Sequence, residues 1–191
     1  MKKREWVYRE VLYRVFEKGE NFFTQKNLSE AAGISIGNVY KSLAILENIN
    51  AIEKTRLGFR VVNPRKILLY WASIRNLEKD IVFRAFVPKP VEEIEKSLPP
   101  LLFTAYSGFK FRFGKIPSDY SEVVVYGERE GIEERFGKKA GKENLFVLKA
   151  DAHLKRFKTI PLAQLYVDLW NLGTWYAQEF LNALEKKIKR G

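Results

Sequence analysis

The segment from Thr24 to Val62 constrains the fold of this chain more than any other part of its 191 residues. A short polar run with helical character ends at Gly33, where a tight turn favours a residue without a Cβ. Ile34 follows as an apolar plug for that turn, and Ser35 is placed to cap the next helix. Two short apolar segments then meet at a turn that contains Gly58. This order predicts a helix-turn-helix followed by a β-hairpin wing.

The second helix of this motif, predicted over residues 35–48, has one apolar and one polar face. Val39, Leu43 and Leu46 recur at helical spacing and are expected to face a core. The positions expected to point outward are Ser35, Gly37, Asn38, Lys41 and Ser42. Such a face suits the major groove of DNA, where Asn38 can pair with adenine and Lys41 can reach guanine. The two serines are expected to make phosphate or mixed contacts.

Residues outside this helix are predicted to contact phosphates. On the wing these are Lys54, Thr55, Arg56 and Arg60, which would reach the DNA backbone or a flanking minor groove. At the N-terminus, Lys2, Lys3 and Arg4 are expected to form a basic arm. Contacts of this kind add affinity and position the protein, whereas base contacts carry the sequence specificity.

The net charge of the chain also favours a nucleic-acid partner. The formal value is +11, and a strongly basic protein attracts polyanions, of which nucleic acids are the commonest. However, residues 1–65 contain 12 basic and 7 acidic side chains, so less than half of the excess lies in the motif. An alternative therefore stays open, in which the motif binds a protein and the charge keeps the chain soluble.

Three pieces of the motif carry a family resemblance: Leu28-Ser-Glu-Ala-Ala-Gly-Ile-Ser, then Val39-Tyr-Lys-Ser-Leu, then Ile52 with the turn at Gly58. Together they make residues 5–62 similar to the winged helix-turn-helix of bacterial and archaeal transcription regulators. The resemblance implies a sequence-specific double-stranded DNA-binding transcriptional regulator. Regulators of this type bind palindromic sites as homodimers, with half-sites about one helical turn apart.

The rest of the chain mixes predicted strands and helices. A helix over residues 4–18 precedes the motif, and a helical connector over 65–77 follows it. Further on, strands are predicted over residues 81–87, 121–127 and 144–150. Helices are predicted over 91–98 and 130–137, and two more near the C-terminus. The segment 101–113 fits either a helix or a strand. The predicted fold class is α+β. The chain is predicted to comprise a winged helix-turn-helix DNA-binding domain (1–64), a helical connector (65–78) and a small mixed α/β domain (79–191). The last of these would mediate dimerisation or bind a partner or an effector.

The C-terminal half has a resemblance of its own. It rests on Leu101-Leu-Phe-Thr-Ala-Tyr-Ser-Gly, on Val123-Val-Val-Tyr, and on Ile160-Pro-Leu-Ala-Gln-Leu-Tyr-Val-Asp-Leu-Trp. These segments look like the C-terminal domain of AbiEi-type antitoxin regulators. In that family the winged helix represses the operon and the C-terminal domain opposes a nucleotidyltransferase-like toxin. The resemblance implies that the chain acts as a repressor and that a toxin is its protein partner.

The charged residues form no catalytic motif. The segment 137–143 is one residue short of a phosphate-binding loop and has Glu where Mg²⁺ needs Ser or Thr. The single histidine, His153 beside Asp151, is more often a surface or capping residue than a metal ligand. Asp168 lies in an apolar helix, where a hydrogen-bonded structural carboxylate is the commoner case, and residues 92–95 suggest a solvated acidic face. We therefore expect no catalytic residue, no metal, no cofactor and no enzymatic activity.

Aromatic and basic residues alternate over residues 106–115. The aromatic members are Tyr106, Phe109, Phe111 and Phe113, and the polar ones are Ser107, Lys110, Arg112 and Lys115. On a strand, such a pattern can stack single-stranded bases. It describes equally a half-buried strand with a basic outer face, which we favour. An RNA-binding or single-strand-binding protein remains an alternative function, beside that of an antitoxin.

The cellular setting is expected to be the cytoplasm. The chain has no cysteine, which excludes disulfides and thiolate metal sites. Its basic start lacks the apolar core of a signal peptide, and no run approaches the roughly 20 apolar residues of a membrane span. One methionine, one histidine and abundant Lys and Glu suggest a heat-adapted source.

Overall fold

A computed structural model describes residues 1–137 and 140–188 of the chain. The N-terminal half contains α1 (Lys3–Lys18), β1 (Phe22–Phe23), α2 (Gln25–Ala32), α3 (Ile36–Asn48), β2 (Ile52–Lys54) and β3 (Phe59–Val61). The three strands form an antiparallel sheet in the order β1-β3-β2. This arrangement is the winged helix-turn-helix that the sequence predicts.

The capping residues of the motif are those expected from the sequence. The hydroxyl of Thr24 accepts a hydrogen bond from the backbone N–H of Asn27 at 3.2 Å, and that of Ser35 accepts from the backbone N–H of Asn38 at 3.4 Å. Gly33 ends α2 in the left-handed region, at φ +67°. These contacts determine where α2 ends and where α3 begins.

The C-terminal half is a four-stranded sheet with helices. Its elements are α4 (Pro64–Ile74), β4 (Ile81–Ala85), α5 (Val91–Ser97), β5 (Leu102–Thr104), α6 (Ala105–Phe113), β6 (Val123–Gly127), α7 (Glu130–Phe136), β7 (Leu145–Lys149), α8 (Leu162–Trp170) and α9 (Ala177–Ile188). The strand order is β4-β7-β6-β5; β6 and β7 are parallel, and the other two pairs are antiparallel. The fold class is α+β, as predicted.

Residues 101–113, whose sequence fitted either a helix or a strand, contain one of each. Leu102–Thr104 pairs with β6, and the chain enters α6 at Ala105, whose φ is +51°. The prediction of a strand over the aromatic and basic residues that follow is wrong. In a helix these residues do not alternate between two faces, because the side-chain period is 3.6 instead of 2.

The two halves share one apolar core. Helices α1 and α4 both pack on α8, and buried residues from both halves belong to one cluster, among them Val7, Trp71, Leu165 and Phe180. A second, smaller cluster lies on the other face of the C-terminal sheet, around Val125. The division at residues 64 and 78 into separate domains stays a prediction. In the described part of the chain, no helix is long and apolar enough to cross a membrane.

Candidate nucleic-acid interface

The outer face of α3 is formed by its first two turns. Gly37 and Lys41 are exposed, as expected from the sequence. Beside them lie two apolar residues that the sequence argument did not assign to this face, Ile36 (51% exposed) and Tyr40 (55% exposed). Helical spacing gave no signal for them, because Ile36 and Tyr40 lie three residues before Val39 and Leu43, and their exposure depends on how α3 packs.

Ser42 does not belong to the outer face, so its predicted outward position is wrong. It is 1% exposed, and its hydroxyl donates a hydrogen bond to the backbone carbonyl of Asn38 at 2.7 Å. The physical reason is helical spacing. Ser42 lies three residues after Val39 and four before Leu46, and both of these residues face the core.

Ser35 and Asn38 are bound to each other. The side-chain amide of Asn38 donates to the Ser35 hydroxyl at 3.0 Å, in addition to the capping bond from its backbone. Asn38 is half-buried, whereas Ser35 is exposed. For Asn38 to pair with a base, its amide would have to leave this local contact.

On the wing, two arginines are exposed and unpaired among the described residues, whereas two other side chains contact the protein itself. Arg56 and Arg60 are exposed and take part in no ion pair with a described residue. Lys54 instead pairs with Glu47 of α3 and lies 5.5 Å from the ring centre of Tyr40. The hydrogen bond to Glu47 raises the pKa of Lys54. The hydroxyl of Thr55 accepts from the backbone N–H of Gly58 at 3.1 Å and closes the turn of the wing.

The N-terminal basic residues form no separate arm. Helix α1 already begins at Lys3, and the terminal amino group of Met1 pairs with Asp80 at 2.6 Å. The backbone N–H of Lys2 also donates to the Glu5 carboxylate at 3.0 Å. The expected arm is therefore the first turn of a helix, with Lys2 and Lys3 exposed and Arg4 half-buried.

Residues 5–90 match the family model described as Firmicute plasmid replication protein (RepL). The matched segment contains the whole winged helix-turn-helix together with α4 and β4, and it is less than half of the chain. It agrees with a winged helix of the DNA-binding type. Neither the curated proteins nor the solved structures give a match. These comparisons lend no support to the resemblance between the C-terminal half and AbiEi-type antitoxin regulators.

His153 is buried, so the expectation of a surface or capping residue is wrong. Its Nε2 lies 2.9 Å from a carboxylate oxygen of Glu10, and its Nδ1 lies 3.0 Å from the guanidinium of Arg9. Because Arg9 can only donate, Nδ1 must accept, and the ring proton is assigned to Nε2, which donates to Glu10. Burial, together with the charge of Arg9, lowers the pKa of His153 although Glu10 opposes the shift. The histidine is therefore a neutral bridge between its two neighbours.

Asp168 is a structural carboxylate, the alternative favoured by the sequence. It is fully buried and accepts hydrogen bonds from the hydroxyls of Thr104 (2.8 Å) and Tyr126 (2.7 Å) and from the amide of Gln164 (2.8 Å). Burial raises the pKa of this carboxyl, although Arg75 and the three donors oppose the shift. Within the described residues, no group of three or more His, Cys, Asp or Glu could hold a metal ion.

Two basic residues of the aromatic and basic segment contact other parts of the protein. Lys110 pairs with Glu95 of α5 at 2.8 Å, so Glu95 is buried and not part of a solvated face, although Glu92 and Glu93 are exposed. Arg112 donates to the backbone carbonyl of Ile160 at 2.7 Å. In the candidate phosphate loop 137–143, residues 138 and 139 lie outside the described residues.

Proposed function

We propose that this protein is a sequence-specific double-stranded DNA-binding transcriptional regulator, acting as a repressor through its winged helix. The observation that carries the proposal is the outer face of α3, whose exposed side chains adjoin a wing with two exposed arginines. A helix with such a face suits the major groove, and an adjacent hairpin suits the flanking backbone.

The charges around this face support a polyanionic partner. Among the described residues, Lys41, Arg56 and Arg60 form no ion pair, so their charges are available to phosphates. Neutralising phosphates releases counterions, which gives binding that weakens steeply with salt.

The family match favours a second candidate, in which the chain binds the DNA of a replicon as a plasmid replication protein. Both candidates use the same winged helix, and they differ in where the preferred site lies. Footprints upstream of the chain's own gene, with repression of a reporter, support the regulator. Footprints at an origin, with no effect on transcription, support the replication protein.

Several finer features belong to the same proposal. We expect a homodimer, a cytoplasmic location, a heat-adapted source and no enzymatic activity. A toxin partner and single-strand binding are the alternatives that the sequence leaves open. Co-purification of a toxin, or a preference for single strands, would favour one of them.

The test is fluorescence anisotropy with the full chain, at two salt concentrations. The probes are the duplex upstream of its own gene, a random duplex of equal length, and each single strand. Tight binding to the first duplex, with a preference over random duplex that persists at the higher salt, supports the proposal. Equal binding to all probes that disappears with added salt would contradict it.

A further inference from the structure

We propose that Ile36 and Tyr40 form an apolar reading surface on α3 that contacts the 5-methyl group of thymine in the major groove. The inference rests on the proposed function, because it requires a preferred duplex. It adds a specificity determinant that is distinct from hydrogen bonds to base edges. It also predicts a feature of the DNA site, namely that each half-site has thymine opposite the first two turns of α3.

The first step is the placement of the two side chains. Ile36 is the first residue of α3 and Tyr40 follows one turn later, so both lie on the same side of the helix. The core stripe of this helix is formed by other residues, namely Val39, Leu43 and Leu46. Ile36 and Tyr40 are exposed by half or more, and the packing of the fold does not need these exposed portions.

The second step is the shape of the surface between them. Gly37 has no side chain, and a Cβ at this position would meet no atom within 4 Å. The backbone of α3 is therefore accessible beside both apolar residues. A base edge can approach the helix closely here, as direct contact with a methyl group requires.

The third step is the choice of partner. An apolar patch alone could equally serve a protein, but this one adjoins Lys41 on its own helix, which is exposed and without an ion pair among the described residues, and the wing that contacts Tyr40 also carries Arg56, exposed and likewise unpaired among them. Charge complementarity therefore selects a polyanion. Within the major groove of DNA, thymine presents the one apolar group of the four bases, and aliphatic or aromatic side chains contact it.

The orientation of Tyr40 is supported from the wing. The Lys54 ammonium lies 5.5 Å from the centre of the Tyr40 ring and also pairs with Glu47. A cation over the ring face restricts the ring and leaves its other side to solvent. Lys54 thus positions a reading residue, which differs from the phosphate contact expected from the sequence.

The experiment replaces thymine by uracil, one position at a time, in the preferred duplex found by anisotropy. Uracil keeps the hydrogen-bonding edge of thymine and lacks its methyl group. At one or two positions in each half-site, we expect uracil to weaken binding about fourfold, the value for one buried methyl-sized group. At the other positions, we expect no change.

The variants Ile36→Ala and Tyr40→Ala should bind thymine and uracil duplexes equally at those positions, whereas Tyr40→Phe should keep the difference. The matched control is Ile116→Ala, which makes the same change at an exposed residue outside the winged helix and should behave like the wild type. If the preferred duplex binds tightly and every uracil substitution is without effect, the inference is overturned while the proposed function stands. If no duplex is preferred over random DNA, the proposed function fails first, and the inference fails with it.

Discussion

Arg9 of α1 donates two hydrogen bonds to the carboxylate of Asp151, 142 residues later in the chain, at 2.8 and 2.7 Å. The guanidinium is fully buried, and its Nε also donates to the side-chain carbonyl of Gln164 at 2.8 Å. Gln164 in turn donates to Asp168. One chain of hydrogen bonds therefore connects the first helix of the winged half with the polar centre of the C-terminal half.

Replacing Arg9 by methionine should lower the free energy of unfolding by about 3–5 kcal/mol, since it leaves a largely buried carboxylate without its partner. Burial raises the pKa of Asp151, but the hydrogen bonds and charge of Arg9 outweigh it and hold the pKa below its ordinary value. The measurement is urea denaturation at pH 7. The matched control is Lys155→Ala, which removes an exposed, solvent-screened ion pair with Glu128 and should change the stability little. Equal losses for both variants would contradict the prediction.

The stability of the protein should decrease as the pH falls from 7 towards 5. The folded-state pKa of His153 lies below its unfolded value, so the unfolded chain binds a proton that the native chain excludes. The stabilisation is complete above the unfolded pKa of about 6.5 and is lost as the pH falls below it. His153→Gln should remove this part of the pH dependence. The measurement is the midpoint of thermal unfolding at several pH values for the wild type and for His153→Gln. If the two midpoints change with pH in parallel, His153 is not the source of the pH dependence.

Gly58→Ala should destabilise the wing. A Cβ at Gly58 would overlap the backbone carbonyl oxygen of Phe23 on the neighbouring strand, so that the sheet must move, at a cost of about 1–3 kcal/mol. Gly37→Ala is the control, because its Cβ would meet open space and alanine in a helix loses less conformational entropy on folding, so this change should not destabilise the protein. Both are measured by thermal unfolding. DNA binding should show the opposite order if the surface of α3 approaches bases closely. Gly37→Ala should then weaken binding more than Gly58→Ala does.

Lys41→Ala should reduce discrimination between the preferred duplex and random DNA by about 1–3 kcal/mol, the value for a lost base contact. Arg56→Ala and Arg60→Ala should weaken binding to both duplexes alike, and each should lower the slope of log K against log salt by about one. Anisotropy titrations over a range of salt concentrations separate the two outcomes. Equal effects of all three changes on both duplexes would remove the distinction between base and phosphate contacts. Asn38→Ala should affect specificity less than Lys41→Ala, because its amide is bound to Ser35.

Ile34, Ser35 and Gly58 show what local sequence could predict. Ser35 caps its own helix and the backbone of Gly58 closes the turn with Thr55, so the cap, the position of Ile34 at the turn and the hairpin could be predicted from short-range chemistry, although Gly58 also meets Phe23 of the neighbouring strand. The same holds for the outward position of Lys41, which depends only on the helical period. The α+β class and nearly all the described helices and strands could be predicted in this way.

The contacts of Ser42, Lys54 and His153 depended on the tertiary structure. Helical spacing places Ser42 beside Val39 and Leu46, but only the packing of α3 on its neighbours determined that the buried stripe includes this position. Lys54 binds Glu47 because the wing folds back on α3. His153 contacts Glu10 and Arg9, which lie more than 140 residues earlier in the chain. A pattern in a short stretch of sequence cannot predict contacts between residues so far apart. The sequence by itself thus determined the elements and the helix proposed to contact DNA, whereas the packing of those elements decided which of its polar side chains are exposed.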